Sequence, residues 1–161
     1  MNFGSFLGNE RLKEGLSAAL GKNRLSHCYL ITGPKGSGKK SLALLLAAAM
    51  QCREKERPCL RCTSCRKVLS GIHPDVITVK KQKDRKTLGV DTVRDICADL
   101  YIRPNEGEKK IYIFPDGKEI TPQAQNALLH TSGHYFLCSF YGLDADHQTH
   151  TADALDALST A

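Results

Sequence analysis

Apolar and polar positions along this chain follow two rhythms. Leu12, Leu16, Ala19 and Leu20 fall on one face at helical spacing, so a helix is predicted from about Asn9 to Leu20, with Gly21 as its stop. The short apolar run His27–Thr32 (HCYLIT) then reads as a buried strand ending at Gly33. A glycine-rich stretch follows, and an apolar helix is predicted from Lys39 to about Gln51. Val76–Val79 reads as a second strand and the basic stretch Lys80–Lys86 as a solvated loop. Val90, Val93, Ile96, Cys97 and Leu100 recur at helical spacing, which predicts an amphipathic helix over Val90–Tyr101. Ile111–Phe114 (IYIF) is a third apolar run of strand length. Thr121 as N-cap with Pro122 at the first helical position opens a further helix through Leu129. Strands alternating with helices predict an α/β fold with a parallel sheet flanked by helices.

Beyond Leu129 the character changes. Residues 130–161 contain no Lys or Arg, although the rest of the chain is rich in both, and the helical pattern breaks at Thr131–Gly133. This divides the chain into a domain over 1–129 and a distinct tail over 130–161.

With 161 residues the chain is long enough for one modest domain with its own core. The formal net charge of +6 permits an acidic partner such as nucleic acid without requiring one. The first residues lack the basic segment and apolar run of a secretory signal. The longest apolar run, Leu42–Met50, is far too short to span a bilayer. A soluble, cytoplasmic protein with no membrane partner is expected. Of seven cysteines, Cys28, Cys97 and Cys138 are isolated and read as small apolar residues.

Residues 33–41, GPKGSGKKS, nearly match the phosphate-loop pattern G-x-x-x-x-G-K-[ST]. Their setting, after a strand and before a helix, is the one in which such a match is informative. Backbone N–H groups of such a loop wrap phosphates, and the following helix points its positive end at them. Gly33, Gly36, Ser37, Gly38, Lys39, Lys40 and Ser41 are the candidate nucleotide-binding residues. The pattern is degenerate: Lys40 stands where a hydroxyl ligates Mg²⁺, and an ammonium is a donor only. Ser41 is displaced by ~100° around the helix. The second Mg²⁺-holding carboxylate is expected just after the third strand, where Pro115 stands, with Asp116 one residue later. With both Mg²⁺ contacts missing, hydrolysis is not expected and no catalytic residue is assigned. ATP binding is left open, and so is a glycine-rich turn with no ligand.

Cys52, Cys59, Cys62 and Cys65 offer four thiolates in one short polar, basic segment. Four Cys ligands close a tetrahedral site, so a structural Zn²⁺ is the leading reading for an insertion over about 52–66. An iron–sulfur cluster, a redox Cys-x2-Cys pair and plain thiols are the other readings.

Taken in order, RLSHCYLITGPKGSGKKSLA, the four-cysteine insertion, GIHPDV, LGVDTVRDI and ITPQAQNALL resemble the delta prime family of bacterial DNA polymerase III clamp-loader subunits, over about Phe6–Leu129. The gamma/tau subunits share the fold and the insertion but resemble ATPases with an intact Lys-Ser/Thr pair and an Asp-Glu pair. Lys39-Lys40 and Pro115-Asp116 set this chain apart from them. The resemblance implies a P-loop NTPase fold of the AAA+ type with a zinc module inserted. It implies partners: gamma/tau and delta, and, through the assembled loader, the sliding clamp and primed DNA. It also implies a Ser-Arg-Cys arginine that completes a neighbour's ATP site, and this sequence has no such motif. The tail is expected to be foreign to the fold, as a frameshift in the coding sequence would make it, and the core incomplete with exposed sheet edges. Two other functions stay open: an ATP-hydrolysing gamma/tau-type subunit, and a zinc-module DNA-binding protein with a vestigial P-loop.

Overall fold

Ile111–Phe114 is buried at all four positions, the signature of a strand covered on both faces of a parallel sheet. The computed structural model describes residues 8–22, 24–26, 28–34, 36–80, 90–100, 102–114 and 135–139. In chain order the elements are α1 (Glu10–Gly21), β1 (Cys28–Ile31), α2 (Lys39–Gln51), α3 (Thr63–Leu69), β2 (Val76–Thr78), α4 (Val90–Leu100), β3 (Ile111–Phe114) and β4 (Tyr135–Ser139). The four strands form one sheet in the order β1-β4-β3-β2, and every pairing is parallel. Parallel strands need crossovers: α2 with α3 lies between β1 and β2, the two edge strands, and α4 carries β2 to its neighbour β3.

Local chemistry explains the helices. Asn9 caps α1 in a left-handed conformation, its side-chain oxygen accepting the Leu12 N–H at 3.3 Å. Leu16 and Leu20 turn inward from that helix. In α2, Leu42, Ala43 and Leu45–Ala49 are all buried, so the helix is apolar nearly all round and lies in the core rather than on it. The small residues Ala47, Ala48 and Ala49 let α3 come close, with Val68 and Cys65 fully buried beside them. On α4, Val93 and Ile96 face the interior.

The predicted strands and the helices at the N-terminus, at Lys39 and at Val90 stand within a residue or two of their sequence bounds. The short helix α3, inside the cysteine segment, adds an element that the pattern did not predict. The expected helix over Thr121–Leu129 and the positions Pro115 and Asp116 lie outside the described residues. One expectation needs correction. Composition set everything after Leu129 outside the fold, yet Tyr135–Ser139 forms β4. It fills the slot between β1 and β3 with continuous registers, Cys28 opposite Phe136 and Ile111 opposite Tyr135. A contiguous apolar run has the same claim to a strand whatever its neighbours' charge, and the missing Lys and Arg masked it. The core is therefore not broken at that slot.

Candidate functional site

The two candidate sites lie at opposite ends of α2, which with 13 residues is ~20 Å long. The glycine-rich loop leads from β1 into its N-terminus, and the cysteine segment begins at its C-cap, Cys52.

In the loop, Gly36 (φ 85°) and Gly38 (φ 77°) take left-handed conformations, which a side chain would strain. Gly38 is also the N-cap of α2 and supplies no side-chain cap, so the first helical N–H groups are left to the loop. No acidic residue stands in the first turn, and Lys39 and Lys40 open it. The two lysines behave differently. Lys40 and Ser41 are exposed, whereas Lys39 is only 3% exposed. The Lys39 ammonium turns back into the loop and donates to Gly33 O at 2.8 Å, Pro34 O at 2.5 Å and Ser37 Oγ at 3.2 Å. An ammonium has three donors, and the loop supplies three acceptors. Of the predicted loop residues, the structure thus draws Gly33, Ser37 and Lys39 into one bonded unit and leaves Lys40 and Ser41 on the outside.

At the other end, the Sγ atoms of Cys52, Cys59, Cys62 and Cys65 all lie within 4.8 Å of one another. Cys59 and Cys65 are 4.0 Å apart, as are Cys62 and Cys52. A tetrahedral ion with metal–sulfur bonds of ~2.3 Å would set these separations near ~3.8 Å. Backbone N–H groups point at sulfur, among them Cys62 N–H to Cys59 Sγ at 3.3 Å and Cys65 N–H to Cys62 Sγ at 3.4 Å. The second of these makes Cys62 the N-cap of α3. Such bonds favour thiolates. The Cys62 N–H is the main cause that brings the Cys59 thiol down to about 6. Burial pushes the Cys52 and Cys65 thiols up. Protons on those two must leave when a metal binds. The donor set, its size and its geometry fit a closed, thiolate-bound metal ion.

A third cluster went unseen in the sequence. Asp75, fully buried, accepts the backbone N–H groups of Asn105 (2.6 Å), Glu106 (2.8 Å) and Gly107 (2.6 Å). Burial raises its pKa, but those three donors outweigh it and hold the carboxyl below its ordinary value. The Asp75 N–H itself donates to His73 Nδ1 at 3.1 Å. Its only sequence signal was the HPD triplet at 73–75, whose partners lie some thirty positions on.

A parallel sheet whose first strand runs through a glycine-rich loop into a buried helix, with a four-cysteine insertion behind that helix, defines the class. A family model described as "DNA polymerase III, delta subunit" matches residues 8–132. The chain belongs to this family of DNA polymerase III clamp-loader subunits. It is 36% identical over 120 residues to the delta' subunit of DNA polymerase III from Bacillus subtilis, which covers 74% of this chain and 36% of that protein. It is 34% identical over 131 residues to the tau subunit of the same bacterium, covering 80% of this chain and 23% of the relative. Among solved structures, a DNA polymerase III gamma subunit-related protein from Thermotoga maritima superposes with a TM-score of 0.54 at 21% identity, covering 78% of this chain and 39% of that one. The chain thus spans about a quarter to two fifths of the length of these relatives. Among the described residues no helix is long and apolar enough to cross a membrane.

Proposed function

We propose that this chain is a clamp-loader subunit of the delta prime type that works within the DNA polymerase III holoenzyme without hydrolysing ATP. Its domain is of the AAA+ P-loop kind. Its partners are gamma/tau and delta, and the assembled loader places the sliding clamp on primed DNA. The four cysteines hold a structural Zn²⁺, which needs no open coordination position.

The observation that carries the non-hydrolysing reading is Lys40, exposed at the position where the phosphate-loop pattern has its Mg²⁺-ligating hydroxyl. Lys39 donates to Gly33 O, Pro34 O and Ser37 Oγ. A phosphate entering the loop must replace those bonds. Beside it, Lys40 offers no ligand for Mg²⁺, and phosphoryl transfer depends on that ion. A steady-state ATPase assay with Mg²⁺ tests this directly. The expected result is no turnover above background; turnover that disappears in Lys39→Ala would sink the proposal.

One observation favours a second reading. The tau subunit of Bacillus subtilis is nearly as similar as delta', at 34% against 36%. On that reading the chain is an ATP-hydrolysing gamma/tau-type subunit, and the same assay separates the two.

A further inference from the structure

We propose that metal occupancy of the four-cysteine centre is transmitted to the turn at residues 105–109, so that binding the ion clamps the segment that leads into β3 and losing it releases that segment. The proposal rests on the metal reading of the cysteines and goes beyond it.

Residues flanking the cysteines reach this one turn from three sides. Gln51, next to Cys52, donates from Nε2 to Lys109 O at 2.8 Å. Arg53, on the other side of Cys52, donates from Nη2 to Glu106 O at 3.1 Å. Lys67, two residues past Cys65, holds the Glu106 carboxylate at 2.6 and 2.7 Å. The fit is close: a Cβ on Gly107 would overlap the Gln51 carboxamide. From beneath, Asp75 binds the N–H groups of residues 105–107.

Gln51 belongs to α2, whereas Arg53 and Lys67 take their places from the segment that carries the cysteines. Between Cys52 and Cys65 the only regular structure is the start of α3, capped by Cys62 itself. A loop of that kind takes its order from the bound ion, because the free energy of binding is also that of folding. Arg53 and Lys67 sit immediately beside the ligands at its two ends. If the loop loosens, both lose their aim on Glu106, while Asp75, anchored by β2, remains. Linkage is reciprocal, so weakening the clamp must also weaken the hold on the ion.

The test uses the full chain. Zinc is first measured per chain, and a chain that takes up none overturns the metal reading and the coupling together. In a chain that holds zinc, its affinity is measured by competition with a chromogenic chelator for the parent, for the Arg53→Ala/Lys67→Ala double variant and for Lys22→Ala, a control at the end of α1. The double variant is expected to bind zinc about fivefold more weakly or more, with the control unchanged. Hydrogen exchange after zinc removal is expected to show the N–H groups of residues 105–107, then held by Asp75 alone, exchanging faster while α1 keeps its own protection. A double variant that binds zinc with the parental affinity, in a chain that does hold zinc, overturns the coupling and leaves the metal reading standing.

Discussion

Asp75 and Gly107 are joined by a 2.6 Å hydrogen bond from the Gly107 N–H to Asp75 Oδ2, across 32 positions of sequence. Asn105 and Glu106 donate to the same carboxylate, so one buried side chain fixes the turn that starts β3. Replacing it strands three backbone donors at once. Asp75→Ala is expected to cost about 3 kcal/mol of stability. Urea unfolding of the two proteins measures this, and a loss below ~1 kcal/mol would mean that the turn holds itself.

The same neighbourhood sets an acid sensitivity. Burial lowers the pKa of His73 from its ordinary 6.5, partly opposed by Asp75 and Glu106, with Lys67 acting in the same sense as burial. Its Nδ1 already accepts a proton bond, and its Nε2 is buried with no partner among the described residues. Asp75 also has a folded pKa below its ordinary 3.8. For both groups the unfolded chain binds more protons, so stability rises with pH and is lost on acidification. His73 contributes fully above 6.5 and loses its share as pH falls from there toward its folded value. Asp75 loses its share only below 3.8. Unfolding midpoints should therefore drop between about pH 7 and pH 5, and His73→Gln should flatten that step. An unchanged midpoint across this range in the parent would refute the assignment to His73.

How much of this was legible in the sequence follows from the range of each interaction. Elements defined by a local pattern were readable: α2 and β3 stand at their predicted bounds because an unbroken apolar run needs no distant partner to be recognised. The cysteine centre was readable because spacing alone brings four thiols together. The Asp75 turn was not, since nothing in HPD names residues 105–107. Nor was the posture of Lys39, which depends on where two loop carbonyls point. β4 carried a local signal in YFLCS that the surrounding composition overrode.

The two lysines of the loop should separate cleanly. Lys39→Ala removes the bonds to Gly33 O, Pro34 O and Ser37 Oγ, with Pro34 O keeping the Ser37 N–H, so a loss of about 1–2 kcal/mol is expected. Lys40→Ala, at an exposed position, is expected to stay within ~0.5 kcal/mol of the parent. Thermal unfolding of the pair measures both. Equal effects would mean that the loop does not depend on the inward lysine.

At the cysteines, Cys59→Ala is expected to abolish stoichiometric zinc and to loosen the insertion while leaving the sheet intact. Metal analysis beside far-ultraviolet circular dichroism checks it. Zinc retained at one per chain would remove Cys59 from the ligand set.

Gly107→Ala probes the packing of the turn without touching a charge. Gln51 is buried and bonded to Lys109 O, so it cannot yield to a new methyl group without breaking that bond. A loss of about 1–3 kcal/mol is expected from the same unfolding experiment, and a neutral result would show that Gln51 moves freely.

Whether the chain is a loader subunit is tested most directly by co-purification. The full chain, tagged, is expressed with gamma/tau and delta subunits and passed over a sizing column. The prediction is a stable complex that contains all of them and shows no ATPase activity beyond that of gamma/tau. A tagged chain that elutes alone, in a preparation where gamma/tau and delta assemble with each other, would contradict it.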